Sequence, residues 1–123
     1  LAGTLVYTSV RARFSPVKTV NNHTATLLIN RENATVVDIR SQEEFAKGHL
    51  AGAQHLLLSQ IQSNNLGPVE KHKDAPIIVV CESGMTAGGA GRQLSKAGFK
   101  QVYVLSGGMA QWRADNLPVT KKR

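Results

Sequence analysis

From residue 17 onward, short β-branched runs alternate with stretches of helical spacing. Val17–Val20 predicts a first strand, and Asn22 is placed to cap a helix through Asn30 with Ala25, Leu28 and Ile29 on one face. Thr35–Ile39 predicts a buried strand. Ser41-Gln-Glu-Glu44 then has the form of a capping box, opening a short helix that Gly48 ends. Gln54–Leu58 predicts a further strand, Ser59 a cap for the next short helix, and Gly67-Pro68 a break. Ile77–Val80 is continuous and β-branched, as a parallel strand buried on both faces should be. Residues 86–97 follow as a helix ending at Gly98, then Val102–Leu105 as a last strand. Gly107-Gly108 leads into a helix that carries Trp112 and stops by Pro118. Strand-helix alternation of this kind implies an α/β fold with a parallel sheet covered on both faces.

Length and composition narrow the picture. The 123 residues suffice for one domain with a core and are too few for two. The net charge is +7, but Arg11, Arg13, Lys18, Lys121, Lys122 and Arg123 carry most of it. Without those six, nine basic residues face eight acidic ones. The body is therefore nearly neutral, which argues against a basic groove for nucleic acid. Residues 1–16 are expected to form an N-terminal tail, 17–119 the domain, and 120–123 a basic C-terminal tail. Leu1–Val10 is mostly apolar or small and Arg11 and Arg13 follow, as at the cytoplasmic exit of a membrane helix. About twenty residues are needed to span a bilayer. The expectation is thus a cytoplasmic domain with no span in this stretch. Attachment to the inner membrane through residues upstream of Leu1 stays open beside a loose terminus.

Cys81 is the single cysteine, so neither a disulfide within the chain nor a CxxC pair can form. His23, His49, His55 and His72 are scattered, which predicts structural histidines and no metal site; no cofactor is implied. Lys71-His-Lys73 is expected in an exposed loop, Trp112 in the core, and Glu43 and Glu44 as first-turn helix charges. Cys81 differs from these because it directly follows the strongest strand. Glu82, Ser83, Gly84, Met85, Thr86 and Ala87 then lead into a helix. Open α/β sheets place their sites at such carboxyl ends. Backbone N–H groups at a strand-to-helix turn, with the positive end of the helix dipole, favour an anion such as a thiolate or a persulfide. A merely buried thiol is the alternative, and it leaves the glycine and hydroxyls of this loop without a purpose.

The stretch Val36–Ala53, with Asp38-Ile-Arg40, Glu44-Phe45 and Gly48-His49-Leu-Ala-Gly52-Ala53, resembles the first signature of the rhodanese family. Cys81–Ala87 resembles its active loop. Val104–Trp112 with Leu117-Pro118-Val119 resembles its C-terminal signature. The resemblance implies a single rhodanese-like domain, with a five-stranded parallel sheet flanked by helices, as in bacterial membrane-anchored members. It implies a sulfurtransferase in which Cys81 takes sulfur from a donor such as thiosulfate or mercaptopyruvate. A persulfide on Cys81 then passes the sulfur to a thiol, cyanide or a protein acceptor. By the same resemblance Asp38, Arg40 and His49 are structural residues near the site. Phosphatases and arsenate reductases of similar fold need Cys, five residues, then Arg; here that position is Ala87.

Two departures shape the expectations. Many thiosulfate-using members carry a basic residue in the loop, whereas this chain has Glu82, whose carboxylate is expected to repel anionic donors. The loop is closer to the Cys-Gly-Ser-Gly-Val-Thr loop of mercaptopyruvate sulfurtransferases. Gly88, Gly89 and Gly91 in the following helix permit close packing or mark a mobile site. With the apolar N-terminus, Glu82 also leaves room for a different class: a membrane-tethered interaction module with little or no catalysis.

Overall fold

The computed structural model describes residues 16–121. Five strands form one sheet: β1 (Val17–Val20), β2 (Thr35–Asp38), β3 (Gln54–His55), β4 (Pro76–Val80) and β5 (Gln101–Leu105). Their order is β1-β5-β4-β2-β3, and every pairing is parallel. The helices are α1 (Asn22–Glu32), α2 (Gln42–Lys47), α3 (Leu58–Gln62), α4 (Ala87–Lys96) and α5 (Gly108–Ala114), with a 3-10 helix over Gly67–His72.

β4 lies at the centre of the order, and all five of its residues are buried. Its alternating side chains divide the core in two. Ile77 and Val79 join Ile61, Val69, Ala87, Ala90 and Leu94, so that face is covered by α3, the 3-10 helix and α4. Ile78 and Val80 join Ala25, Leu28, Met109 and Trp112, so α1 and α5 cover the other. Gly91 resolves the question raised by the glycines of α4. A Cβ there would lie 3.1 Å from Val17 Cγ1 and 3.3 Å from Val102 Cγ1, so Gly91 lets α4 lie close on the sheet. At Gly88 and Gly89 a Cβ would meet only the end of Arg92, at 3.7 and 3.8 Å.

Several boundaries differ from those expected. Asn21, not Asn22, caps α1: its side chain accepts from Thr24 N at 2.8 Å. Asn22 is buried, its amide donates to Asp115 at 2.8 Å, and the helix runs on to Glu32. β3 has two residues where five were expected: only Gln54 and His55 pair with β2, and the chain enters α3 at Leu58. Leu57, not Ser59, precedes α3. The Gln60 side chain accepts from Leu57 N at 2.9 Å and takes over the capping role. Lys71 and His72 lie in the 3-10 helix rather than a loop, and Lys73 pairs with Glu70 at 2.6 Å. α5 ends at Ala114, before Pro118; Asn116 turns the chain with φ 58°. The expected C-terminal tail starts at Thr120, whose backbone exchanges hydrogen bonds with His49 at 2.9 and 2.8 Å. The N-terminal tail and its proposed membrane link lie outside the described residues, except for Pro16. Among the described residues no helix is long and apolar enough to cross a membrane.

Candidate active site

Cys81 leaves the carboxyl end of β4 and is 5% exposed. The loop through Thr86 curls back so that Gly84 N donates to Cys81 Sγ at 3.0 Å, immediately before α4 begins. Gly84 has φ 92°, and a Cβ there would lie 2.3 Å from the carbonyl oxygen of Ser106. Only glycine satisfies both conditions. Around the buried sulfur, Ser83, Met85 and Thr86 form an exposed rim, with Met85 87% exposed. Ala87 is fully buried in the first turn of α4.

The loop is fastened from below by α5. Met109 N donates to the carbonyl oxygen of Cys81 and Ala110 N to that of Glu82, both at 2.9 Å. These are two of the N–H groups that a helix start leaves without partners of its own. Gly108 brings that helix start against the loop, so the second glycine of the C-terminal pair is part of the cysteine's mounting, whereas a Cβ at Gly107 would meet Gln111 of the same helix.

Asp38 and Arg40 form a second support. Arg40 Nε donates to Asp38 Oδ1 at 3.0 Å and Nη2 to Oδ2 at 2.8 Å, while Nη2 also reaches the carbonyl oxygen of Gly48 at 2.7 Å. Both residues are buried, at 1% and 6% exposure. Burial works against the Arg40 charge. The hydrogen bonds and charge of Asp38, with the charges of Glu82 and Glu44, outweigh it and hold the Arg40 pKa above its usual value. His49 is buried too, with Nδ1 2.7 Å from the Phe45 carbonyl oxygen and its ring stacked on Phe45 at 3.8 Å. It orders the turn after α2.

Glu82 has partners that its place in the loop does not reveal. Its carboxylate is not bare. Oε1 lies 3.5 Å from Arg40 Nη1, and both oxygens engage the Arg113 guanidinium. Its direction also matters. The Cys81 side chain packs with Ala87, Ala90 and Leu94 on the α4 face. Arg113 belongs to α5, whose Met109 and Trp112 pack on the other face. Adjacent side chains thus point to opposite sides of the sheet. Two cations from outside the loop, Arg40 and Arg113, thus lie against the Glu82 carboxylate. Arg113 was not singled out in the sequence. It lies 31 residues from Glu82, and no local spacing pairs the two.

Beside Glu82 is a cavity of about 300 Å³ lined by Arg40, Glu44, Lys47, Gly48, Glu82, Arg113 and Val119. The sequence had marked Glu44 as a capping-box and helix charge and as part of the first signature, and had given Lys47 no role.

The comparisons agree with this architecture. Residues 22–115 match the model of the Rhodanese-like domain. The chain is 47% identical over 117 residues to the uncharacterized protein YibN of Escherichia coli (strain K12), covering 95% of this chain and 82% of that one. It is 36% identical over 87 residues to the protein named thiosulfate sulfurtransferase GlpE of Pseudoalteromonas translucida, covering 71% and 80%. Among solved structures, a rhodanese-related protein from Thermoplasma volcanium superposes with a TM-score of 0.68 at 26% identity, over 85% of this chain and 99% of that one. The chain belongs to the rhodanese-like domain family.

Proposed function

We propose that the chain is a sulfurtransferase with Cys81 as its sulfur carrier and residues 17–119 as the catalytic domain. The observation that carries this reading is the placement of Cys81 Sγ, at the end of the central strand, under the Gly84 N–H and at the head of α4. That arrangement offers a backbone N–H donor to the sulfur that would carry the persulfide, which is an anion. The relative named thiosulfate sulfurtransferase GlpE supports the same class.

The chemistry divides into two half-reactions. With thiosulfate, the Cys81 thiolate attacks the outer, sulfane sulfur. The bond between the two donor sulfurs breaks, sulfite leaves with the electron pair, and Cys81 holds one added sulfur. An acceptor thiolate then attacks that outer sulfur. The bond to Sγ breaks, the acceptor departs as a persulfide, and the Cys81 thiolate returns. Electrons balance within each step, and no metal or cofactor takes part in this sequence.

Incubation with thiosulfate or mercaptopyruvate, followed by intact mass measurement, tests the reading. The expected result is a gain of one sulfur on Cys81 that cyanide or a thiol removes. Cys81→Ser should fold and gain nothing. No sulfur adduct with any donor would overturn the reading.

A further inference from the structure

Because every pairing in the sheet is parallel, the strand starts share one end of the molecule and Cys81 lies at the other. The amino end carries the excess charge. Lys18 belongs to β1, Lys71 and Lys73 come just before β4, and Lys100 comes just before β5. α1 and α4 run back from the carboxyl end, so Arg31 and Lys96 in their last turns arrive here too. These six cations stand with three carboxylates, Glu32, Glu70 and Asp74, whereas the remaining described residues hold five of each sign. Glu70 pairs with Lys73 at 2.6 Å and Asp74 with Lys100 at 2.9 Å. Lys18, Arg31, Lys71 and Lys96 are exposed, and none has an ion-pair partner among the described residues. Attraction to the carboxyl terminus of a helix accounts for Arg31 and Lys96, but Lys18 lies in a strand. The chain enters at the same end: Pro16 lines a hollow of about 150 Å³ with Lys18 and Lys100. In the sequence, Arg11 and Arg13 lie within five residues of Pro16 and follow the mostly apolar residues 1–10.

We propose that this basic end is a docking face for an anionic lipid bilayer. A bilayer presents negative charge over a flat surface wider than the end itself, so cations on separate strands and helices engage it together. A nucleic-acid strand fits less well, since it takes a groove that tracks its backbone and aromatics that stack on its bases. At this end Phe99 is buried and Tyr103 half-buried. Docking here fixes the orientation of the domain. The five residues of β4 span about 16 Å, twice the Debye length of about 8 Å at physiological ionic strength. The Cys81 loop therefore faces water, clear of the lipid charge, and an anionic small molecule reaches it without repulsion from the membrane. The proposal involves no chemistry at Cys81 and stands apart from the sulfurtransferase reading.

The test is co-sedimentation of the full chain with two kinds of vesicle: phosphatidylcholine alone, and an equal mixture of phosphatidylcholine and phosphatidylglycerol. The mixed vesicles should bind more tightly, and the difference should vanish at high salt. Lys18→Gln, Lys71→Gln and Lys96→Gln combined should weaken binding to the mixed vesicles about a hundredfold, at about fivefold for each charge. Lys47→Gln, Arg92→Gln and Lys121→Gln combined remove the same net charge elsewhere and should weaken it by less than about fivefold. All six residues are exposed, so both triple variants should fold. On the mixed vesicles, amide hydrogen exchange should slow at residues 71–75 and 97–100 and not at 82–86. Equal losses in the two triple variants, equal binding to the two kinds of vesicle, or slowed exchange in the Cys81 loop would overturn the proposal. Tighter binding to duplex DNA than to the mixed vesicles would overturn it as well. Sulfur uptake by Cys81 is measured without vesicles, so each of these failures leaves the sulfur-carrier reading standing.

Discussion

Gly108 lies directly beneath Cys81: a Cβ built on Gly108 would come within 2.4 Å of the Cys81 carbonyl oxygen and 2.7 Å of the Glu82 carbonyl. Its φ of 60° adds a second reason for glycine. Gly108→Ala combines a left-handed alanine, costing about 1–2 kcal/mol, with a backbone clash that only a shift of the loop relieves. A total loss of about 3 kcal/mol is expected in urea unfolding. Uptake of sulfur by Cys81 should fall with it, even at temperatures where the variant is folded. Full sulfur uptake would show that the loop does not depend on this close approach.

Arg40 makes the Asp38 carboxylate hard to replace. The guanidinium side chain is 4% exposed, so Asp38→Asn leaves a buried cation without its main counter-charge. About 3 kcal/mol of stability should be lost. Because the folded pKa of Arg40 is raised, the stability from this pair is fully present below the unfolded arginine pKa. It is lost only as pH rises through the folded value. The deficit of Asp38→Asn in denaturant unfolding should therefore not vary through Arg40 across the neutral range. A deficit that changes steeply near neutrality would place the linked proton on another group.

Gly88 and Gly89 contrast with Gly91 on the same helix. Gly88→Ala and Gly89→Ala should each stabilise by up to about 1 kcal/mol, since the added methyl meets only the mobile end of Arg92. Gly91→Val should destabilise, because even the first added carbon is 3.1 Å from Val17. Thermal melts of the three variants decide the matter. A loss of stability at Gly88 or Gly89 would mean that the first turn of α4 needs glycine for another reason.

These variants separate what was legible in the sequence from what was not. Ile77–Val80 announced the central strand, because a strand buried on both faces must be apolar at every position. Ser41 announced α2, since the cap lies within the segment itself: its hydroxyl accepts from Glu44 N at 3.2 Å. Where partners are distant, local pattern failed. The run Gln54–Leu58 looks like a full strand, yet only Gln54 and His55 pair with β2 before the chain turns into α3 at Leu58. Asn22 is a good cap by type, but its partner is Asp115, 93 residues away. Glu82 shows the same limit at the site. Its identity predicts a repulsive charge, and only the folded chain brings Arg113 and Arg40 to it.

Glu82 and Arg113 therefore supply a pair of opposite expectations for the loading half-reaction with thiosulfate. Their contact is about half exposed, with side-chain exposures of 40% and 49%, so either substitution should change stability by less than about 1 kcal/mol. The effect on rate is electrostatic. Arg113→Ala exposes the Glu82 charge to the approaching dianion, and Glu82→Gln leaves Arg113 without its carboxylate while Arg40 stays on Asp38. One unit charge at a separation on the order of 9 Å from a dianion in water changes the rate about fivefold before screening. At physiological ionic strength about twofold remains. Arg113→Ala should slow loading by that factor and Glu82→Gln should speed it, with both effects largest at low salt. The double variant should lie close to the wild type, because it removes one charge of each sign. A large additive loss in the double variant would instead mean that the pair holds the loop in place, and that charge is secondary.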